Sequence, residues 1–158
     1  MDGAPALFRE TQRFLRNPWA MIGGLAALIG CGSVLLAPGG GSPLGGVIGL
    51  AVFAAVAGLL GVGALHTEVR PDGLYVRLVP LTRQHRFAWS EIVSAESRHY
   101  RPILDYGGWG IRFGRAGKAY NVYGSRGVQL VLADGRRLLI GSQRADALAA
   151  AIATARGR

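Results

Sequence analysis

The residues best suited to binding a metal are one cysteine and three histidines. Cys31 lies in an uncharged segment, His66 is 19 positions before His85, and His85 is 14 positions before His99. Zinc sites in single domains pair their ligands within a few residues, as in CxxC or HExxH. The spacing therefore predicts no metal site, and a single cysteine excludes a disulfide within the chain.

The serines and the glycine-rich stretch do not form a recognisable catalytic or nucleotide-binding motif. No serine stands in a GxSxG setting, and no acid/base pair is picked out by spacing. The stretch GGWGIRFG (107–114) fits neither GxGxxG nor the phosphate loop with its lysine. The sequence predicts no cofactor and no enzyme, with an enzyme kept as a remote alternative.

The glycine-rich stretch has two interpretations. In the first, its glycines allow a bend or bulge between strands, and Trp109 covers an edge or the core. In the second, Tyr106, Trp109 and Arg112 form an exposed recognition loop together with Asp105, since binding residues are often carried by loops on a rigid scaffold. Both remain open at the level of sequence.

The elements that must position these residues begin with an uncharged segment. All 18 Lys/Arg and all 9 Asp/Glu lie outside residues 17–65. The loop PGGGSP (38–43) divides this segment into two apolar runs, 18–37 and 44–65. A helix of about 20 apolar residues crosses a hydrocarbon core of roughly 30 Å. The sequence predicts a transmembrane helical hairpin over 18–65.

The arginines predict the orientation of this hairpin. Arg9, Arg13 and Arg16 precede the first run, the connecting loop is uncharged, and 15 Lys/Arg follow the second run. The positive-inside rule then places both termini in the cytoplasm, with the protein multi-pass in the bacterial inner membrane. Helical spacing of the three arginines also predicts an interfacial amphipathic helix over 1–17, facing anionic head groups.

Small residues recur at four-residue spacing in both runs, a pattern that lets membrane helices approach closely. One interpretation is that they pack the two helices of the hairpin against each other. The other is that at least one small face docks onto another membrane protein. The residues concerned are Gly23, Ala27, Gly45, Gly49, Ala54 and Gly58.

After residue 66 the hydrophobic pattern changes to a period of two, which is typical of strands. Leu74, Val76 and Leu78 alternate with polar residues, and Asp134-Gly135 is a strong hairpin signal. Ser142 is the predicted N-cap of a closing helix, whose apolar stripe follows it. Seven or eight short strands and one amphipathic helix are thus expected over 66–158.

Three segments carry a resemblance to a known family: YGGWGIRFG (106–114), KAYNVYGSRGVQL (118–130) and GRRLLIGSQR (135–144). They resemble an uncharacterised family of bacterial membrane proteins with two N-terminal transmembrane helices and a pleckstrin-homology-like (PH-like) domain. The resemblance implies two orthogonal antiparallel sheets and a C-terminal capping helix. It implies no reaction.

The PH-like region carries 15 Lys/Arg against 7 Asp/Glu, a net charge of +8. Nucleic acid is not predicted as a partner, because no recognition helix or RNA-binding motif accompanies the charge. The membrane lipid bilayer is the expected anionic partner. Its predicted contacts are the three N-terminal arginines and four in or beside the first strands: Arg70, Arg77, Arg83 and Arg86.

The function predicted from these features is that of a non-catalytic, membrane-anchored accessory or scaffold subunit. It would bind a larger membrane protein complex through its hairpin and its PH-like domain; a respiratory or photosynthetic assembly is one candidate. The alternative is a homo-oligomeric or anionic-lipid-binding membrane adaptor.

Overall fold

The computed structural model describes residues 6–16, 18–35, 43–114 and 116–157. Four helices and nine strands lie within these ranges. The helices are α1 (Pro18–Leu35), α2 (Pro43–Val62), α3 (Pro102–Tyr106) and α4 (Ala145–Arg156). The strands are β1 (Phe8–Arg13), β2 (Ala64–Arg70), β3 (Gly73–Val79), β4 (His85–Phe87), β5 (Ile92–His99), β6 (Gly110–Gly114), β7 (Gly117–Asn121), β8 (Arg126–Leu132) and β9 (Arg137–Gly141).

The strands form two sheets. The first is antiparallel, in the order β1-β2-β3-β4, and the second has the order β5-β8-β9-β7-β6. Within the second sheet only β7 and β9 run parallel among the described strands. The alternation seen in the sequence appears as alternating burial, with Leu74, Val76 and Leu78 all inside the core.

Helix α4 covers the core that the two sheets share. Its buried side chains, Ala145, Leu148, Ile152 and Ala155, follow helical spacing and lie on one face. The helix begins at Ala145 with Arg144 in the capping position, so the predicted cap Ser142 lies outside it. The Ser142 hydroxyl instead accepts a hydrogen bond from the Arg144 backbone N–H at 3.0 Å.

The prediction of an interfacial helix at the N-terminus was wrong over residues 8–13. These residues form strand β1, in which Phe8, Glu10 and Gln12 are buried and the intervening side chains are exposed. The same six residues fit a period of two, and pairing with β2 satisfies backbone groups that a short isolated helix would leave to water. Residues 1–5, also assigned to that helix, lie outside the described part of the chain.

Helices α1 and α2 are an insertion between two neighbouring strands of one sheet. Arg13, the last residue of β1, pairs with Ala64, the first of β2, and the Phe14 N–H donates to the Gly63 carbonyl at 3.0 Å. The predicted start of the β-domain at residue 66 was therefore wrong. The domain is built from residues 64–157 together with β1, which precedes the helices.

The two helices coincide with the two apolar runs of the sequence, and they pack against each other. The predicted loop at 38–43 lies mostly outside the described residues. Within the described ranges, no helix has the combined length and hydropathy needed to cross a membrane.

Candidate functional site

Strand β1 is attached to the start of α4 through a buried carboxylate. Glu10 is only 8% exposed. One of its oxygens accepts a hydrogen bond from the Ser142 hydroxyl at 2.5 Å, and the other accepts from the Gln143 N–H at 2.8 Å. Beside it, the Gln12 side-chain amide donates to the Gly141 carbonyl at 2.8 Å. These bonds join the N-terminal strand to the end of β9 and the first residues leading into α4.

A cleft of about 480 Å³ runs along β1, and four arginines contribute to its walls. Three of them come from β1 and the turn after it, and the fourth precedes α4. The lining residues are Arg9, Glu10, Thr11, Gln12, Arg13, Arg16, Tyr123, Gln143 and Arg144. We call this cavity the β1 cleft. Its end at Arg13 and Arg16 adjoins the start of α1, where the helical insertion leaves the domain.

The arginines of the β1 cleft differ in how they are paired. Arg9 forms an ion pair with Glu68 at 2.9 Å. Arg144 donates to the Arg9 carbonyl at 2.6 Å, and its guanidinium lies 4.6 Å from the centre of the Phe8 ring. Arg13 and Arg16 make no ion pair with any residue that the structure describes. Four arginines and one carboxylate, Glu10, are among the described lining residues, so the cleft keeps an excess of positive charge with free donors.

The four arginines predicted to face lipid from the first strands divide into two groups. Arg70 pairs with Glu68 at 2.7 Å and Arg86 with Asp72 at 3.2 Å. Both lie at the end of the sheet away from the helical insertion, since seven residues of β2 span roughly 20 Å. Arg70 and Arg86 therefore lie away from the point where the helices leave the domain, because β2 carries the chain away from it. Contact of these arginines with lipid stays a prediction.

Arg77 and Arg83 lie at the opposite end, close to the helical insertion. Arg77 pairs across the sheet with His66, two residues after β2 begins, and Arg83 follows the end of β3. Both are exposed, and neither forms an ion pair with a described residue. The first sheet therefore has unpaired arginines near the helices and paired arginines at its far end.

The structure shows which residues of the glycine-rich stretch are buried and where the chain bends. Tyr106 is 3% exposed and packs edge-on against Tyr100, with ring centres 5.9 Å apart. Trp109 is half-buried, and Arg112, although exposed, donates to the Trp109 carbonyl at 2.9 Å. The predicted exposure of Tyr106 was therefore wrong, whereas partner binding at Trp109 and Arg112 stays a prediction. The bend is confirmed, because α3 ends at Gly107 with a left-handed φ of 72°.

The exposed apolar residues near this bend were missed by the sequence analysis. Ile103 and Leu104 of α3 are 61% and 73% exposed, and Phe113 of edge strand β6 is 77% exposed. In the sequence these residues look like ordinary core positions. Only the short length of α3 and the edge position of β6 leave them uncovered.

The predicted small-residue faces of the helices are partly described. A Cβ atom added at Gly23 or Gly58 would meet no described atom within 4 Å, so no close contact between described parts of α1 and α2 depends on either glycine. Gly45 and Ala54 are exposed, and Gly49 is half-buried. The side chain of Ala27 lies outside the described residues. Docking of another protein on these faces stays a prediction.

Polar groups buried in the second sheet include the hydroxyl of Tyr100 and the side-chain oxygen of Asn121. Neither has a hydrogen-bond partner among the described residues. Burial raises the pKa of Tyr100 to about 12, and the neighbouring Asn121 side chain acts in the opposite direction. Among the described residues, no group of three His, Cys, Asp or Glu side chains could hold a metal ion.

The architecture is that of two antiparallel-rich sheets with a C-terminal helix packed on them. A family model described as "Bacterial PH domain" matches residues 64–158, more than half of the chain. The chain belongs to the bacterial PH domain family. The predicted mainly-β domain with two sheets and a C-terminal helix is confirmed.

The match begins at the first residue of β2, so β1 and both long helices lie outside it. No curated protein and no solved structure gives a significant match to the chain. PH domains are in general non-catalytic binding modules, and this chain is best described as a binding module built on a PH domain.

Proposed function

We propose that the protein is a non-catalytic adaptor whose PH domain is held at the cytoplasmic face of a bacterial inner membrane by helices α1 and α2. One observation carries the proposal. The two helices leave the domain between adjacent strands, carry no charged residue, and expose large apolar side chains along their length. Such surface is unfavourable in water at about 25 cal/mol per Å². The side chains, 40–69% exposed, are Ile22, Leu25, Ile29, Leu44, Val47, Ile48, Leu50, Val52, Val56 and Val62.

The whole uncharged block of residues 17–65 supports lipid as the environment of these helices. That block extends beyond the described helices into the connecting segment. The arginines at its base support the orientation. Four of them lie near the point where the helices leave the domain and form no ion pair with a described residue: Arg13, Arg16, Arg77 and Arg83. Cationic residues beside a membrane helix favour the cytoplasmic side.

The adaptor's partner is proposed to be a larger membrane protein complex, of which this chain is an accessory or scaffold subunit. Two features support that choice. Gly23 and Gly58 lie on helix faces that the hairpin itself leaves open in its described part. Ile103, Leu104 and Phe113 add an exposed apolar surface on the PH domain. A respiratory or photosynthetic assembly remains one candidate.

Cysteine labelling in intact cells tests the proposal. Cys31→Ser first removes the single native thiol, and Ser42→Cys or Ser125→Cys then introduces one reporter each. Position 42 is expected to react with a membrane-impermeant maleimide from the periplasmic side. Position 125, exposed between β7 and β8, is expected to react only after the cells are lysed.

Ser90→Cys is the matched control, because Ser90 is also exposed on the PH domain and should behave like position 125. Alkaline carbonate should leave all three variants in the membrane pellet. Release of the protein by carbonate would contradict membrane insertion, and labelling of position 125 in intact cells would contradict the orientation.

A further inference from the structure

We propose that the β1 cleft binds the phosphate group of an anionic lipid head group at the base of the helices. This proposal rests on the proposed function for the source of its ligand, because a lipid reaches the cleft only if the helices lie in a bilayer. The cleft itself is defined by residues outside the helices, and its arginines are placed there by β1 and by the segment that precedes α4.

The position of the unpaired arginines is the first argument. Arg13 ends β1, Arg16 ends the short turn that follows, and α1 begins at Pro18. Their side chains are exposed and lie at the end of the cleft nearest the helices. If α1 enters the bilayer, these two guanidinium groups lie at the depth of the lipid head groups.

The donors in the cleft are the second argument. A guanidinium offers five N–H groups in a planar fork that matches two phosphate oxygens, which makes arginine suited to phosphate recognition. None of these N–H groups of Arg13 or Arg16 forms an ion pair with a described carboxylate. Arg9 and Arg144 lie at the other end of the cleft. Arg9 is bonded to Glu68 and Arg144 to the Arg9 carbonyl, and each guanidinium has further N–H groups beyond these bonds.

Glu10 is the one carboxylate among the described residues that line the cleft, and it does not neutralise the four arginines there. Glu10 directs its two oxygens to the Ser142 hydroxyl and the Gln143 N–H, and it is 8% exposed. These bonds keep the carboxylate in the wall of the cleft, with Arg9 and Arg13 on the opposite face of the strand. A bound phosphate would therefore meet guanidinium donors first.

Most of the residues that line the β1 cleft lie outside the region that matches the family model. Its β1 residues precede the region that matches the bacterial PH domain, and only Tyr123, Gln143 and Arg144 of its lining fall within that region. The site exists because the N-terminal strand is added to the sheet beside the helical insertion. A domain restricted to residues 64–158 would lack three of the four arginines.

A titration of the full chain in a mild non-ionic detergent tests the proposal. The probes are short-chain phosphatidylglycerol, short-chain phosphatidylcholine and inorganic phosphate, with binding followed by native mass spectrometry. Phosphatidylglycerol should bind the wild-type chain at least about tenfold more tightly than phosphatidylcholine, whose choline cation opposes the arginines. Arg13→Gln/Arg16→Gln should remove that preference.

The control is Arg101→Gln/Arg137→Gln, which removes the same charge from two exposed arginines away from the cleft. It should change phosphatidylglycerol affinity less than about twofold, because charges beyond a Debye length of about 8 Å are screened at physiological ionic strength. An equal loss of phosphatidylglycerol affinity in the control variant would contradict a defined binding site in the β1 cleft. If inorganic phosphate bound as tightly as phosphatidylglycerol, the conclusion that the phosphate ligand belongs to a lipid would be overturned.

The result is separable from the proposed function. A chain that resists carbonate extraction but does not prefer phosphatidylglycerol contradicts this inference alone. A chain that carbonate releases contradicts the membrane anchor and with it the lipid ligand. The Arg13→Gln/Arg16→Gln variant should stay in the carbonate pellet, since the uncharged helices are unchanged.

Discussion

Glu10→Gln is the substitution that most directly tests how the N-terminal strand is held. The side chain keeps its shape, but the carboxylate that accepts from both the Ser142 hydroxyl and the Gln143 N–H is replaced by an amide with one accepting oxygen. Its NH₂ group must then face one of two donors. Because Glu10 is 8% exposed, water cannot readily supply the missing acceptor.

The expected loss can be worked from these two bonds. A hydrogen bond to a charged group contributes about 1.5–3 kcal/mol, and an unsatisfied buried donor costs about 1–3 kcal/mol. Retaining one of the two bonds, in a weaker neutral form, gives a predicted loss of about 2 kcal/mol in the free energy of unfolding. For a domain of this size that corresponds to a fall in Tm of roughly 8–10 °C.

Thermal unfolding of the full chain in detergent measures the loss, and hydrogen exchange locates it. The amide of Gln143 and the peptides covering β1 and β9 should exchange faster, while β3 should keep its protection. Glu96→Gln is the matched control, because Glu96 is exposed on β5 and makes no ion pair with a described residue. Its Tm should change by less than about 2 °C.

Two results would refute this reasoning. One is a Glu10→Gln variant that unfolds at the same temperature as Glu96→Gln. The other is strict additivity of Glu10→Gln with Ser142→Ala, since two residues joined by one hydrogen bond should show a coupling of about 0.5 kcal/mol or more.

Two further predictions concern the second sheet and the helices. With a pKa raised from 10.0 to about 12, the buried phenol of Tyr100 favours the folded state fully below pH 10, and that contribution is lost as the pH rises toward 12. Phenolate absorbance should show a component that titrates near that upper value and that Tyr100→Phe removes. Titration of this component near pH 10, the ordinary value of a phenol, would contradict the burial. In mild detergent, native sizing with mass spectrometry should find the wild-type chain co-migrating stoichiometrically with a larger complex. Gly58→Leu should weaken that co-migration more than Ala57→Leu, because the exposed Ala57 lies about 100° away from Gly58 around the helix. A lone monomer or homo-oligomer of the wild type would contradict the subunit proposal.

Much of the β-domain follows from local pattern. The alternation around Leu74, Val76 and Leu78 predicts a strand because a two-residue period places one face toward a core. The stripe of Leu148 and Ile152 predicts α4 for the corresponding reason in a helix. Both predictions are confirmed, because the side chains that set these periods are also the ones that the tertiary structure buries.

The candidate site follows the sequence only in part. Arginines at positions 9, 13 and 16 were recognised as a basic group beside the helices, and three of the cleft's four arginines are these residues. Arg144 could not be added from the sequence, since it lies 135 positions from its hydrogen-bond partner Arg9. The burial of Tyr106 could not be predicted for a related reason, since only the packing of its ring against Tyr100 shows that it lies inside the domain.

By itself, the sequence determined the uncharged helical pair, the period-two region and the closing helix, because each depends on the spacing of residues within one short segment. Only the tertiary structure decided that residues 8–13 are a strand. Those residues fit both a helical and an extended pattern, and the choice depends on β2, whose His66 stands 55 positions beyond Thr11. Pairing across the helical insertion supplies hydrogen bonds and a buried face that no local pattern contains. The same pairing builds the β1 cleft.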